Sequence, residues 1–309
     1  MLLDTASLYF RAFYGVHDTV KAPNGTPVNA ARGLLDMIAK LVTTYRPSHL
    51  IACWDDDWRP QWRVDLIPSY KTHRVAEVVP NGADVEEVPD PLEAQLPLIR
   101  RSLGALGIPI VGRAEYEADD IIGSLATQSS LPVDIVTGDR DLFQLVDDAS
   151  DVRVIYTARG MSNLEVLTDA VVTTKYGVLP QQYADFAVMR GDASDGLPGV
   201  AGVGEKTAAT LLAAHGDLAG IIAAAETGEG MSAGVRAKIL AALPYLAVAP
   251  TVVEVARDVD LSDDLARSDG RIGRITDERR TAALALAEEW SLGASMDRAL
   301  AATDGASAG

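Results

Sequence analysis

EYEADDIIGSL, residues 115–125, is the stretch on which the reading of this chain turns. It packs Glu117, Asp119 and Asp120 close together and then runs into Ile121, Ile122 and Leu125, apolar positions at the spacing of a helix that lays one face on a core. Three carboxylates therefore crowd the first turn of a buried helix. The positive end of the helix dipole offsets part of that charge, but like charges held so close resist joint ionisation unless a cation joins them. Taken alone, an acidic first turn is also how an ordinary solvated helix begins, because Asp and Glu favour that position. The rest of the chain decides between the two.

Upstream, residues 1–3 form a short apolar run that ends at Asp4 and leads into a helical pattern; residues 50–54 form a second run, ending at Asp55, Asp56 and Asp57. A short strand is expected at 109–111. Downstream, 133–136 reads as a strand ending in Thr137, Gly138, Asp139, Arg140 and Asp141, and 152–156 as another. Helical periodicity at 31–42, 96–106 and 167–176 separates these runs. Strands alternating with helices predict a parallel α/β sheet, and such sheets place ligands beyond the C-terminal strand ends. Asp4, Asp55, Asp139 and Asp141 stand there. Each alone would be a cap for the next helix. Several of them converging on one rim with Glu117, Asp119 and Asp120 point to metal binding, and hard carboxylate oxygens suit Mg2+ or Mn2+.

Residues 62–93 read differently. Arg63, Tyr70, Lys71, His73 and Arg74 fill the first half, and Pro80, Gly82, Pro89 and Pro91 lie among acids in the second, so the segment is expected to be exposed and mobile. After about residue 176 alanine-rich helices take over. One of them, at 181–189, delivers Asp192 and Asp195 in the loop RGDASDGLP, residues 190–198. GVAGVGEKT follows at 199–207 and opens a helix at 208–214. Its glycines let backbone N–H groups approach an anion, with a helix N-terminus behind them, in the manner of a helix-hairpin-helix phosphate clamp; the spacing is not that of a P-loop. A last helix is expected at 278–290 and a flexible tail over 291–309.

With 309 residues, 48% of them hydrophobic, the chain has material for a large domain and a smaller helical one. Cys53 is the only cysteine, which excludes an internal disulfide, and the four histidines lack metal-ligand spacing. No apolar run reaches membrane-spanning length, so a cytoplasmic protein is expected. The net charge of −17 excludes coating a nucleic acid by bulk electrostatics; a polyanion must be held locally, by clustered cations or by metal ions on the excess acid.

LLDTASLYFRAFYG (2–15), WRVDLIPSYKTHR (62–74), EYEADDIIGSLA (115–126), VTGDRDLFQLV (136–146) and MRGDASDGLPGVAGVGEKTA (189–208) resemble, in collinear order, the motifs of the bacterial 5′-3′ exonucleases. That family includes the N-terminal domain of DNA polymerase I and the flap endonucleases. The resemblance runs from about residue 2 to 253. It implies a PIN-like parallel-sheet nuclease core over 1–176, a helical arch at about 62–93, and a helix-three-turn-helix DNA-binding module within 177–290. Carried over by position, it implies metal ligands at Asp4, Asp55, Glu117, Asp119, Asp120, Asp139, Asp141, Asp192 and Asp195. Lys71, Arg74 and Arg11 would steer phosphate, Tyr70 would stack on the terminal base, and Gly202, Gly204, Lys206 and Thr207 would grip duplex DNA, with a K+ on the loop's carbonyls. Three positions depart from the family pattern: Thr5 for the usual Gly, Arg140 for Lys and Gly196 for Asn. The arch after Arg74 is unusually acidic, which bears on flap preference and threading.

The expected activity is metal-ion hydrolysis of DNA at 5′ flaps, nicks and 5′ ends by a stand-alone monomer, working beside a DNA polymerase. Two divalent ions are expected, and the charge count on the rim, about nine carboxylates against four positive charges, leaves a place for a third. Two other classes share the acidic cleft: a DNA-binding module that does not cut, and an RNA-cleaving PIN-type nuclease. The filled acidic positions disfavour the first and the GVAGVGEKT clamp the second.

Overall fold

The computed structural model describes residues 1–79 and 84–306. Among the described residues eight strands run in chain order: β1 (Leu2–Asp4), β2 (Ile51–Cys53), β3 (Val75–Glu77), β4 (Val85–Glu86), β5 (Ile110–Val111), β6 (Val133–Thr137), β7 (Val152–Tyr156) and β8 (Glu165–Leu167). Six form one sheet in the order β5-β2-β1-β6-β7-β8, and β3 pairs with β4 separately. β5, β2, β1, β6 and β7 are mutually parallel, and β8 joins antiparallel at the edge, with Ile155 opposite Val166. The chain passes from β1 to β2 on one side and later returns to β6 on the other, which puts a topological switch at the C-terminal end of β1.

Successive strand residues face opposite ways, so the sheet sorts them into two cores. Leu2, Ile51, Ile135 and Val154 pack with the acidic helix Ala118–Gln128 and the helical module; Leu3, Ala52, Val136 and Ile155 pack under the helices Thr5–Gly15, Asn29–Tyr45 and Leu96–Leu106. Strands buried on both faces carry nearly continuous apolar runs, and this is why they were legible as short hydrophobic stretches.

Two segments depart from the sequence reading. Residues 291–309, expected as a tail, form the helix Ala294–Ala306 as far as residue 306. It buries Met296, Ala299 and Leu300 in the second core and is held on the helix Asn29–Tyr45 by Arg298 to Asp36, 2.7 Å. The small, alanine-rich composition that looked like a tail is what a closely packed helix pair needs. The described residues of the arch segment are likewise folded. It contains the helix Gln61–Leu66, a single turn at Thr72–Arg74, the β3–β4 hairpin and the short helix Asp90–Glu93, whose Leu92 is fully buried. β-branched Val75 and Val85 favour a hairpin over the helical arch implied by resemblance. Pro80 and Gly82, which had suggested mobility, lie outside the described residues. Among the described residues no single helix is long and apolar enough to cross a membrane.

Removing the side chain of Met296, which has no solvent exposure, should cost about 2–5 kcal/mol of stability. Denaturant unfolding of Met296→Ala measures it, and a change within error would return the C-terminal helix to the status of a tail.

Candidate active site

The switch point gathers the acids. Asp4 ends β1 and caps the following helix, one oxygen accepting from Ser7 N–H at 3.1 Å and the other from the Thr137 hydroxyl at 2.6 Å. Thr137 closes β6, and its own oxygen accepts from Asp139 N–H at 2.8 Å, so one hydroxyl ties the ends of two adjacent strands together. Asp55, past β2, accepts from Ala118 N–H at 2.8 Å, the first free N–H of the acidic helix. Asp139 accepts from Asp141 N–H at 2.9 Å.

Crowding shows in the acidities. Burial pushes Asp4 up to about 7 and Asp55 up to about 6; neighbouring Asp55 and Asp139 add to the first, Glu117 and Asp120 to the second. Asp119 is driven well above the carboxylate range by burial and then by Asp4 and Asp139. Asp141 is driven up by burial and then by Asp139, Asp195 and Asp192, and Asp195 by burial with Asp139 and Asp192 adding. The acids thus form two groups. Asp4, Asp55 and Asp119 make one, Asp141, Asp192 and Asp195 the other, and Asp139 acts on both. Asp141 Oδ1 is buried without a hydrogen-bond partner. An orphaned carboxylate oxygen within a set of hard oxygens fits a divalent cation of the Mg2+ or Mn2+ kind. Among the described residues, no three of the acids already converge as ready ligands of one ion.

The sequence placed Asp120 in this set, and the structure moves it out. Its side chain is 0% exposed and accepts from both Arg63 Nη atoms at 2.8 and 2.7 Å, from Glu117 N–H at 3.1 Å and from Ala256 N–H at 2.8 Å. With these four donors its oxygens are consumed, and it serves as the counter-ion of Arg63. Glu117 stays at the cavity. It accepts from the Tyr70 hydroxyl at 2.7 Å and from the Lys71 ammonium, and it forms an ion pair with Arg63 at 3.2 Å. Tyr70 is therefore not the exposed base-stacking ring expected of it: the ring is 4% exposed and packs in the first core.

Lys71 and Arg74 do reach the cleft. Both line a cavity of about 220 Å3 together with Asp4, Asp55, Glu117, Asp119 and Asp139. Lys71 takes a left-handed backbone, φ 48°, and its N–H donates to Asp195 O at 2.9 Å; Arg74 donates to Ser194 O at 2.7 Å and Asp195 Oδ1 at 3.1 Å. Arg190 steadies Asp192 at 3.2 Å. Arg11 lies by Gly138, where a Cβ would meet its guanidinium at 3.0 Å. The departure at Gly196 has a steric cause: its φ is +70°, and a Cβ there would stand 2.1 Å from Ser69 O. Glu86, unmarked in the sequence, also lines the cavity, and burial followed by Asp55 raises its pKa. A larger cavity, about 490 Å3, opens near Met1, His49, Leu131 and Leu265 at the opposite strand ends, away from the converging carboxylates.

Across the loop from this rim, Val200 and Val203 are buried and anchor the glycine segment, leaving Gly202, Gly204 and Lys206 exposed and Thr207 half-buried at the start of the helix Glu205–His215. Gly202 has φ +73°, and its carbonyl accepts from Lys238 Nζ at 2.8 Å.

A doubly wound sheet thus carries an acidic rim at its switch point, with a glycine-rich segment opening a helix beside it. Residues 1–177 match the 5′-3′ exonuclease N-terminal resolvase-like domain, and residues 178–272 the 5′-3′ exonuclease C-terminal SAM fold. The chain is 58% identical over 303 residues to a 5′-3′ exonuclease of Streptomyces coelicolor, covering 97% of this chain and 98% of that one. It is 42% identical over 226 residues, 72% of this chain but 24% of the relative, to DNA polymerase I of Mycobacterium bovis. Among solved structures it resembles a bacteriophage T5 D15 flap endonuclease pseudo-enzyme-product complex with DNA and metal ions, TM-score 0.62 at 17% identity, covering 98% of both chains. The chain belongs to the 5′-3′ exonuclease family.

The raised pKa values of Asp4 and Asp55 make stability depend on pH. Asp4 and Asp55 hold protons in the folded chain to about 7 and about 6, against an ordinary 3.8, so their contribution to stability is complete below that ordinary value and is lost as pH rises through the folded values. Without divalent ions, the protein should melt several degrees lower at about pH 8 than at about pH 5. Mn2+ should restore the difference. Calorimetry on Asp4→Asn checks the assignment, since that variant should show a flatter pH dependence.

Proposed function

We propose that the chain hydrolyses DNA phosphodiesters at 5′ ends and 5′ flaps, with two divalent ions, Mg2+ or Mn2+, held by the two groups of acids. The observation that supports this is Asp139, whose charge acts on Asp4 in one group and on Asp141 in the other. Asp4, Asp55, Glu117 and Asp119 would hold one ion, Asp141, Asp192 and Asp195 the other. When bound, such ions activate water and stabilise the charge on a leaving oxygen. Asp192 and Asp195, which had suggested a third ion, are assigned to the second, each also paired with an arginine, so the reading stays at two.

The remaining work falls to this chain's own groups. Lys71 and Arg74 would hold the scissile phosphate and balance its charge, Arg74 in bidentate fashion. Arg11 would take a phosphate further along the strand. Thr137 and Arg190 keep Asp4 and Asp192 aimed. The exposed N–H groups around Gly202 and Gly204, with Lys206 and Thr207, would hold duplex phosphates at the start of an 11-residue helix. Against a K+ on these carbonyls stands the Lys238 ammonium, which already donates to Gly202 O. The similarity to the nuclease part of DNA polymerase I supports work in company with a polymerase.

End-labelled 5′-flap DNA, blunt duplex and single-stranded RNA, incubated with the protein and Mn2+ and then with chelator, test the reading: DNA should be cut, RNA spared, and chelator should stop the reaction. Loss of even an outer partner of a bound metal costs about 10–100-fold. Asp139→Asn should therefore lower turnover by more than about a hundredfold while DNA affinity is kept. Near-normal turnover would overturn the ligand assignment. Lys206→Ala should weaken binding alike for all sequences and flatten the salt dependence by about one unit. An unchanged salt slope removes Lys206 from the clamp.

A further inference from the structure

Between Arg74 and Arg100 the chain has no lysine or arginine, yet it carries Glu77, Asp84, Glu86, Glu87, Asp90 and Glu93. The fold brings this acid to the cleft. β4 returns beside β3 with Glu86 opposite Val75, and Glu87 N–H donates to Arg74 O at 2.7 Å, so Glu86 is registered directly after the phosphate-facing Arg74. Its side chain lines the same cavity as Lys71, Arg74 and Asp55.

The hairpin is fastened just before β4. Asp84 pairs with Arg59, the two side chains 8% and 7% exposed. Asp84 O accepts from Trp58 Nε1 at 2.7 Å, and Arg59 donates onward to Tyr70 O at 2.6 Å and to the Thr72 hydroxyl at 3.2 Å. Arg59 thus locks the returning strand to the corner that presents Lys71. A buried pair of this kind sets geometry more than it adds stability. Glu86 consequently holds a fixed place in the cavity.

We infer that Glu86, held by the Arg59–Asp84 clasp, is a specificity determinant that disfavours DNA whose 5′ strand continues as a single strand past the cut, and so selects 5′ termini. This rests on the nuclease reading above. A terminal nucleotide places few phosphates beyond the scissile bond, whereas a flap must carry several along the acidic hairpin, where each meets like charge and misplaced like charge suppresses the wrong substrate. The cations of the corner face the phosphate being cut; the hairpin beyond them offers only acid.

The test is the ratio of kcat/KM on a long 5′ flap to that on a nicked duplex with a 5′ terminus, in Mn2+, for the unchanged protein, Glu86→Gln and Glu87→Gln. Glu87 is exposed on the same hairpin and does not line the cavity. Glu86→Gln should raise the ratio on the order of tenfold, and Glu87→Gln by much less. A ratio unmoved by Glu86→Gln overturns the inference. So does a parallel loss on both substrates with a raised Mn2+ requirement, which would make Glu86 a metal ligand. If the unchanged protein cuts neither DNA, the nuclease reading itself fails and takes this inference with it.

Discussion

Mutual repulsion among carboxylates at one rim of the sheet is the constraint on which the rest of the structure depends. Two unit charges about 4 Å apart repel by about 4 kcal/mol at an effective dielectric near 20, and the rim holds many such pairs. The protein handles this in two ways. Around Glu117 and Asp120 it brings fixed cations: Arg63 spans both, and Lys71 closes on Glu117. Around Asp4, Asp119 and Asp141 it brings none of comparable closeness, and these acids are the ones pushed up by burial and by one another. The division separates carboxylates that hold the fold from carboxylates left to bind something positive.

Arg63 also explains how the two parts of the chain form one body. Its Nε donates to Val252 O at 3.1 Å, while its partner Asp120 accepts from Ala256 N–H. Gln144, after β6, bonds Val253 O at 3.1 Å and Val255 N–H at 3.1 Å, and Gly123 has no Cβ because Ala256 O would lie 2.5 Å from one. The strand-like segment leaving the helical module is therefore pinned along the acidic helix. Breaking such a buried pair by removing one partner costs about 3–5 kcal/mol. Arg63, which also pairs with Glu117 on the acidic rim at 3.2 Å, thus ties the helical module to the acidic helix.

Much of this was legible in the sequence. Parallel strands buried on both faces appear as apolar runs ending in aspartates, so β1, β2, β5, β6 and β7 and the acids after them could be placed from pattern alone. β8 was missed because Glu165–Leu167 is short and runs straight into a helix. Asp120 was misassigned because its spacing from Glu117 fits a ligand as well as a capping-box partner, which it also is. Choosing between them needs Arg63, 57 positions away in the chain. Tyr70 looked exposed for a similar reason: a proline-, glycine- and charge-rich surround reads as loop, and the buried hydroxyl acceptor on Glu117 comes from another element. The C-terminal helix Ala294–Ala306 was hidden by its small residues, whose burial depends on the helix Asn29–Tyr45 lying beneath them.

An acidic protein that acts on a polyanion needs its cations where the contacts are. Of the 27 lysines and arginines, many are committed to internal pairs: Arg59 with Asp84, Arg63 with Asp120, Arg153 with Asp134, Arg298 with Asp36. Lys206, by contrast, is exposed at a helix N-terminus, and Arg11, Lys71 and Arg74 gather near the carboxylate rim. With a net charge of −17 the field of the whole molecule opposes DNA, so binding must come from these short-range contacts and from ions held on the rim. Lys71 and Arg74 are themselves paired with Glu117 and Asp195, so an anion that reaches the rim must compete with those carboxylates for them.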